Sequence, residues 1–286
     1  MPTHLWEIFE TAIKKLKETS ESPALDAEVI LSFVLNKPKE FLYSHPENQL
    51  SKKVRGEFYQ LLKQRAKGTP VAYLTLEKNF FGRKFYVNRS VLVPRPETEE
   101  LVELVLDRLK NSKLNTKNYK LLDLGTGSGC MAVTLAKELA EAKTIRIHAA
   151  DVSTKALRVA RKNAKAHGAE IKFIHSDLFN NIPGKFDVVV ANLPYIPAAQ
   201  YRRLKNTLRL EPKIALTDGT NTWRLYDRFF RQLRGHIKPQ AKIFLEIDPT
   251  SKNRIAGWAK LHFPRISIEF HRDLNKKTRF AILTCK

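Results

Sequence analysis

The sequence predicts an α/β protein: a mainly parallel, doubly wound sheet of seven strands ending in an antiparallel hairpin, preceded by a small helical domain. Three observations predict it. Apolar residues over positions 4–67 recur at helical spacing. From Lys120 onward, short apolar runs alternate with helix-patterned ones. The last two apolar runs are separated only by a short polar stretch.

Taken in order, His4–Thr19 sets Leu5, Ile8, Phe9, Ala12, Ile13 and Leu16 at helix-face spacing. Pro23, suited to a helix's first turn, opens a second run with Leu25, Val29, Ile30, Phe33 and Val34 on one side. The third run, Lys52–Lys67, follows Ser51 as a cap candidate and stops at Gly68. Residues 1–75 therefore read as a helical domain too small to bury a large core alone. Residues 76–97 read as a β-hairpin linker, in which Phe80, Phe81, Phe85, Tyr86 and Val87 surround Gly82-Arg83 and Pro94-Arg95-Pro96 ends the pattern. The third segment, 98–286, opens with a helix expected over Thr98–Lys110. Its strand candidates are Lys120–Leu124, Ile145–Asp151, Ile171–His175, Phe186–Ala191 and Ala241–Ile247. Helices are expected at Cys130–Glu141 and Ser153–His167, the latter with Ser153 as N-cap and Gly168 beyond its end. Arg265–Phe270 and Arg279–Thr284, joined through Asp273–Lys277, form the closing hairpin.

Composition bounds the function. No apolar run is long enough to span a bilayer, so no membrane association is expected. The N-terminus shows neither a secretory nor an organelle presequence pattern, which predicts a cytoplasmic protein. Cys130 and Cys285 are the only cysteines, without metal-ligand spacing, so neither a disulfide nor zinc is expected. The net charge of +22 is uneven: residues 1–75 carry 11 basic and 9 acidic side chains, the remainder 40 and 20. Such a surplus favours polyanions such as RNA, or acidic protein surfaces, in a salt-sensitive manner. It names no partner by itself.

The strand Leu121–Leu124 runs into Gly125-Thr126-Gly127-Ser128-Gly129 ahead of a helix. Glycines there permit a sharp turn and let a ligand lie against bare amides at the helix start. The GxGxG spacing after an acidic strand end departs from the GxGxxG of nicotinamide sites, and no Walker lysine follows. It suits a cofactor with an amino-acid moiety, whose ammonium group would seek Asp123. Asp151 ends the second strand, where a carboxylate can accept hydrogen bonds from ribose hydroxyls. Asp177 ends the third and is a candidate acceptor for an adenine amino group. These features predict S-adenosylmethionine.

Asn192-Leu193-Pro194-Tyr195 ends the buried fourth strand. The lone pair of an amide or aromatic amino nitrogen is delocalised, so it attacks poorly. The Asn192 side-chain oxygen and the Leu193 carbonyl can each accept one N–H, holding that nitrogen toward a methyl donor. Pro194 stiffens the turn and Tyr195 offers a flat face to a planar group. The residues predict methyl transfer to a conjugated nitrogen and leave amide and adenine open.

The motif resembles the (D/N/S)-PP-(Y/F/W) signature of methyltransferases acting on such nitrogens. Two further stretches are similar to segments of the HemK/PrmC family, which methylates the glutamine of the GGQ motif in peptide chain release factors. They are Val93-Pro94-Arg95-Pro96-Glu97-Thr98-Glu99 and Glu211-Pro212 followed by Ala215-Leu216 and Asp218-Gly219. The helical domain and Gly68-Thr69-Pro70-Val71-Ala72-Tyr73-Leu74 also resemble that family's substrate-docking region. The resemblance implies a Rossmann-like methyltransferase domain with S-adenosylmethionine at Asp123, Gly125–Gly129, Asp151, Asp177, Leu178 and Asn192. It implies substrate glutamine at Asn192, Leu193, Pro194 and Tyr195, with Arg95 and Glu97 shaping the entrance, and a structural or gating Glu211. The helical domain would recognise the body of a release factor. Three positions depart from the family: Leu193 stands where proline is usual, Leu178 where an aromatic is common, and Asp248 where glycine is usual. The spelling Asn-Leu-Pro-Tyr is itself similar to ribosomal RNA adenine dimethyltransferases, the alternative reading.

Overall fold

The computed structural model describes residues 2–110, 119–140, 145–204, 206–220 and 223–285. It divides into two compact units, Met1–Glu77 with Lys205–Leu210, and Lys78–Leu204 with Glu211–Lys286.

The first unit is helical: α1 (Leu5–Leu16), α2 (Pro23–Leu35), α3 (Glu40–Ser44), α4 (Lys52–Ala66) and α5 (Val71–Thr75). Leu5, Ile8, Phe9, Ala12 and Leu16 of α1 pack with Ile30 and Leu31 of α2 and Phe58 and Leu62 of α4. The Ser51 hydroxyl caps α4 by accepting from the Val54 amide, a contact worth about 1 kcal/mol. Arg65 of α4 pairs with Asp26 of α2 at 2.6 Å. The expected face of α2 is corrected: Leu25 and Phe33 are exposed, while Ala27 and Leu31 are buried. That helix is apolar nearly all round, so periodicity does not select a side.

In the second unit, strands β1 (Glu77–Phe80) and β2 (Arg83–Tyr86) form the hairpin. Its Phe80 and Phe85 are buried in one core with Leu101, Val102 and Val105 of α6 (Pro96–Lys110). Helix α6 starts two residues earlier than expected. Pro96 sits in its first turn, where the missing N–H has no helical partner to lose.

The large sheet comprises β3 (Tyr119–Leu124), β4 (Ile145–Asp151), β5 (Ile171–His175), β6 (Phe186–Asn192), β7 (Ile237–Glu246), β8 (Ser267–Arg272) and β9 (Thr278–Thr284). Its order is β5-β4-β3-β6-β7-β9-β8. Strands β3 to β7 pair in parallel, and β9 is antiparallel to β7 and β8. Helices α7 (Cys130–Glu138), α8 (Thr154–Ala166), α12 (Trp223–Leu233) and α13 (Lys252–His262) accompany it, with single turns α9 (Ala198–Tyr201) and α11 (Lys213–Leu216) after β6; the single turn α10 (Asn206–Arg209) belongs to the first unit. Helix α7 ends at Glu138, three residues before the expected Glu141, with Leu139 at its C-cap. Alternation along β6 sorts the two cores: Val188 and Val190 face α6 and α7, while Val189 and Ala191 face α12 and α13. Strand order reverses between β3 and β6, where ligands bind beyond the carboxyl ends of such strands. No helix among the described residues is long and apolar enough to cross a membrane.

Candidate functional site

The glycine loop is held by hydrogen bonds from three directions. The amides of Gly125 and Thr126 both donate to the Ala150 carbonyl at the end of β4, at 2.8 and 2.9 Å. From below, Asp123 Oδ2 accepts from the Thr126 hydroxyl at 2.7 Å and the Ala132 amide at 3.2 Å. From the side, Asn163 of α8 donates to the Ser128 carbonyl (2.8 Å) and the Tyr86 carbonyl (2.9 Å) and accepts from the Tyr86 amide (2.8 Å). Gly129 ends the loop with φ of 80° and packs onto α8 so closely that a Cβ there would meet Ala160 Cα at 3.1 Å.

This bracing gives Asp123 a different place from the one expected. It is fully buried and does not line the cavity beside the loop. Its Oδ2 accepts from the Ala132 amide in the first turn of α7, one of the helix-start amides that need an acceptor, while Oδ1 is buried without a hydrogen-bond partner. Burial raises its pKa to about 7.

The cavity, about 340 Å³, opens at the carboxyl edge of the strands. Of the expected cofactor residues, Gly125 to Ser128, Asp151, Asp177, Leu178 and Asn192 line it, whereas Asp123 and Gly129 stand behind. Asp151 accepts from the Gly127 amide at 2.9 Å and the Ser153 amide at 2.8 Å, fixing its carboxylate at the rim. Burial raises the Asp151 pKa against these bonds. Asp177 is ion-paired with Arg228 of α12 at 2.6 Å. Leu178 has a left-handed backbone, φ 48°, its carbonyl held by the Ser176 hydroxyl at 2.8 Å.

The donor set fits S-adenosylmethionine better than a dinucleotide. The wall includes three carboxylates, Asp151, Asp177 and Asp218, the loop Gly125–Ser128, and the apolar Met131, Leu178 and Ile214. No described lining residue is a lysine, and its arginines, Arg95 and Arg228, are already paired with Glu211 and Asp177. A pyrophosphate would find no unpaired cation among these side chains.

At the other end of the cavity, the sheet register sets Asn192 beside Glu246. Asn192 Nδ2 donates to Thr98 Oγ1 at 3.3 Å, and the Thr98 hydroxyl donates to Glu246 Oε2 at 2.7 Å. Leu193 and Pro194 line the cavity. The Leu193 side chain is buried, and its Cδ2 lies 3.4 Å from where a Gly125 Cβ would be. The bulk that leucine adds is thus absorbed by a neighbouring glycine. Tyr195 does not line the cavity; it is partly buried against the α12 and α13 core, and burial raises its pKa. Arg95 lines the cavity and Glu97 does not. Glu211 is buried and accepts from the Val93 amide at 3.0 Å and from Arg95 at 2.5 Å. It therefore ties the Pro-Arg-Pro stretch to the loop after β6, a structural bond at the cavity wall.

Sequence reasoning missed Thr98, Asn163, Arg228 and Glu246. Glu246 carried a signal, a lone charge within the apolar run Phe244–Ile247. Asn163 and Arg228 carried none, being polar residues on amphipathic helices. Of the basic segment after the motif, Arg202, Arg203 and Arg209 are exposed, and Lys205 lies outside the described residues.

Comparison with known proteins bears on what this site does. Residues 7–75 match the family model described as PrmC N-terminal domain, and residues 100–230 match that described as methyltransferase small domain. Release factor glutamine methyltransferase from Koribacter versatilis is 36% identical over 247 residues, 85% of this chain and 86% of that protein. The protein of the same name from Bacillus anthracis is 34% identical over 258 residues, 89% and 90%. That from Leptospira interrogans is 36% identical over 280 residues, 94% and 93%. A methyltransferase structure from Pyrococcus furiosus superposes with a TM-score of 0.51 at 16% identity, covering 78% of this chain and 97% of that one. It carries the fold alone.

Proposed function

The chain belongs to the release factor glutamine methyltransferase family, and from that premise we propose how its residues methylate the side-chain amide nitrogen of the GGQ glutamine. It is an S-adenosylmethionine-dependent enzyme. That cofactor supplies an electrophilic methyl group. Asp151 receives the ribose hydroxyls, Asp177 the adenine amino group, and Leu178 packs against the base. The loop from Gly125 to Ser128 lies along the amino-acid end, while Asp123 and Gly129 keep the loop in shape.

The observation that carries the substrate reading is the state of Asn192. Its amide nitrogen is engaged by Thr98, which leaves Oδ1 as its hydrogen-bonding atom for a ligand. Oδ1 and the Leu193 carbonyl are two acceptors for the two N–H groups of a primary amide. Holding both hydrogens orients the nitrogen and stabilises positive charge developing on it. The nitrogen would gain an N–C bond as the cofactor's S–C bond breaks, and one of the two hydrogens held by Asn192 Oδ1 and the Leu193 carbonyl would leave as a proton to water; no protein nucleophile is required. Arg95, braced by Glu211, shapes the entrance. We place recognition of the release factor's body on the helical unit, and contact with an acidic or RNA surface beside the substrate loop on Arg202 and Arg203.

Labelled S-adenosylmethionine offered with purified release factor, and separately with ribosomal RNA, tests this. Label should enter the release factor and disappear when the GGQ glutamine is replaced. Label on RNA alone would overturn it in favour of the adenine reading. Charge reversal at Arg202 and Arg203 should weaken apparent substrate affinity; unchanged affinity removes the surface contact.

A further inference from the structure

We infer that Thr98 and Glu246 are positioning residues that lock the Asn192 amide in one orientation, so that only its oxygen is presented to the substrate. The inference rests on the reading of Asn192 as the amide-holding residue and extends it to two side chains with no assigned role. An asparagine amide is nearly symmetric in shape, and a half-turn about its last bond exchanges an acceptor for a donor. With nitrogen inward, a substrate N–H would face another N–H, and the site would repel what it must hold.

The structure contains a device against that half-turn. Thr98 lies in the first turn of α6 and is buried at 4% exposure; Glu246 ends β7 at 2%. Asn192 Nδ2 donates to Thr98 Oγ1 (3.3 Å), the Thr98 hydroxyl hydrogen is committed to Glu246 Oε2 (2.7 Å), and the Asn192 amide lowers the Glu246 pKa, as an N–H directed at its carboxylate does. A hydroxyl whose hydrogen is spent on a carboxylate can only accept from its other neighbour. A carboxylate can only accept. Both partners therefore demand the nitrogen of Asn192, and its oxygen is turned out. The chain of bonds has a polarity, from Asn192 to Thr98 to the negative charge, and it draws electron density toward Oδ1, improving it as an acceptor.

The lock depends on charge. Burial raises the Glu246 pKa to about 7, Arg279 of β9 opposes the rise, and Glu97 of α6 adds to it. The Glu246 charge in turn raises the pKa of the nearby Tyr195 phenol. Once protonated, Glu246 can donate to Thr98, whose hydrogen is then free to point at Asn192, and the orientation is no longer dictated. Loss of turnover as pH falls through about 7, with S-adenosylmethionine affinity unchanged, is the expected signature.

Thr98→Val keeps the shape and removes the hydroxyl. We expect kcat to fall roughly tenfold to a hundredfold, the scale of a misdirected catalytic group, with little change in S-adenosylmethionine affinity. Thr98→Ser should recover most of that loss, and Glu246→Gln should abolish the acid limb of the pH profile. A readout independent of substrate is the side-chain amide resonance of Asn192 in protein labelled with nitrogen-15 asparagine, assigned by its absence in Asn192→Ala. In the unmodified protein it should shift with the Glu246 titration; in Thr98→Val it should move, and in Glu246→Gln it should lose the titration. If no label enters release factor yet the resonance behaves so, the substrate reading fails and the lock stands. If label enters and Thr98→Val turns over like the unmodified enzyme, or the resonance ignores both substitutions, the lock is overturned.

Discussion

Replacing Gly129 with alanine tests how the cofactor loop is built, because two separable costs meet there. The first is conformational: φ at Gly129 is 80°, in the left-handed region that costs an L-residue roughly 1–2 kcal/mol. The second is steric. The new Cβ would stand 3.0 Å from Ala160 Cβ and 3.1 Å from Ala160 Cα, and the latter belongs to the backbone of α8, which no rotamer change can move aside. Overpacking of that kind costs about 1–3 kcal/mol. The sum, about 2–5 kcal/mol, corresponds to a Tm lower by roughly 4–20 °C for a domain of this size. Gly168→Ala is the matched control, since Gly168 has φ of 58° with nothing within 4 Å of its added Cβ. It bears only the first cost, roughly 2–8 °C. Calorimetric melting of both variants isolates the close approach. Equal shifts in the two would refute the claim that the loop rests on the α8 backbone. Gly129→Ala should also weaken S-adenosylmethionine binding by displacing Ser128, while Gly168→Ala should not.

Three further outcomes follow from the same geometry. Asp151→Ala removes the candidate ribose acceptor and the bonds to Gly127 and Ser153; calorimetric titration should show S-adenosylmethionine affinity lowered by about 10–100-fold, and an unchanged affinity would move the ribose elsewhere. Glu211→Gln breaks the ionic tie to Arg95 and should raise KM for the release factor with S-adenosylmethionine affinity retained, as read by steady-state kinetics. For Asp123 the pKa of about 7 lies above the ordinary aspartate value, so the folded state keeps a proton that the unfolded chain releases. The stability this contributes is full below about pH 4 and is lost as pH rises through about 7. Asp123→Asn should flatten that part of the stability profile in denaturant titrations, and a slope equal to that of the unmodified protein would contradict it.

The sequence by itself determined the alternation of strands and helices, because a strand buried on both faces must be an apolar run such as Phe186–Ala191 and a surface helix must show an apolar stripe. It also determined which loops carry the site, since glycines after β3 and the Asn-Leu-Pro-Tyr sequence after β6 are local features that need no partner to be recognised. Tertiary structure decided which way side chains turn. Asp123 reads as a ligand residue in sequence; three-dimensional packing gives it the amide of Ala132 and hides it. Tyr195 reads as a flat face for substrate and packs beside the core instead. Thr98 and Glu246 lie 148 positions apart, and no local pattern joins them. Hydrophobic periodicity is a property of neighbours along the chain, whereas the direction of a hydrogen bond depends on donors and acceptors that only folding brings together.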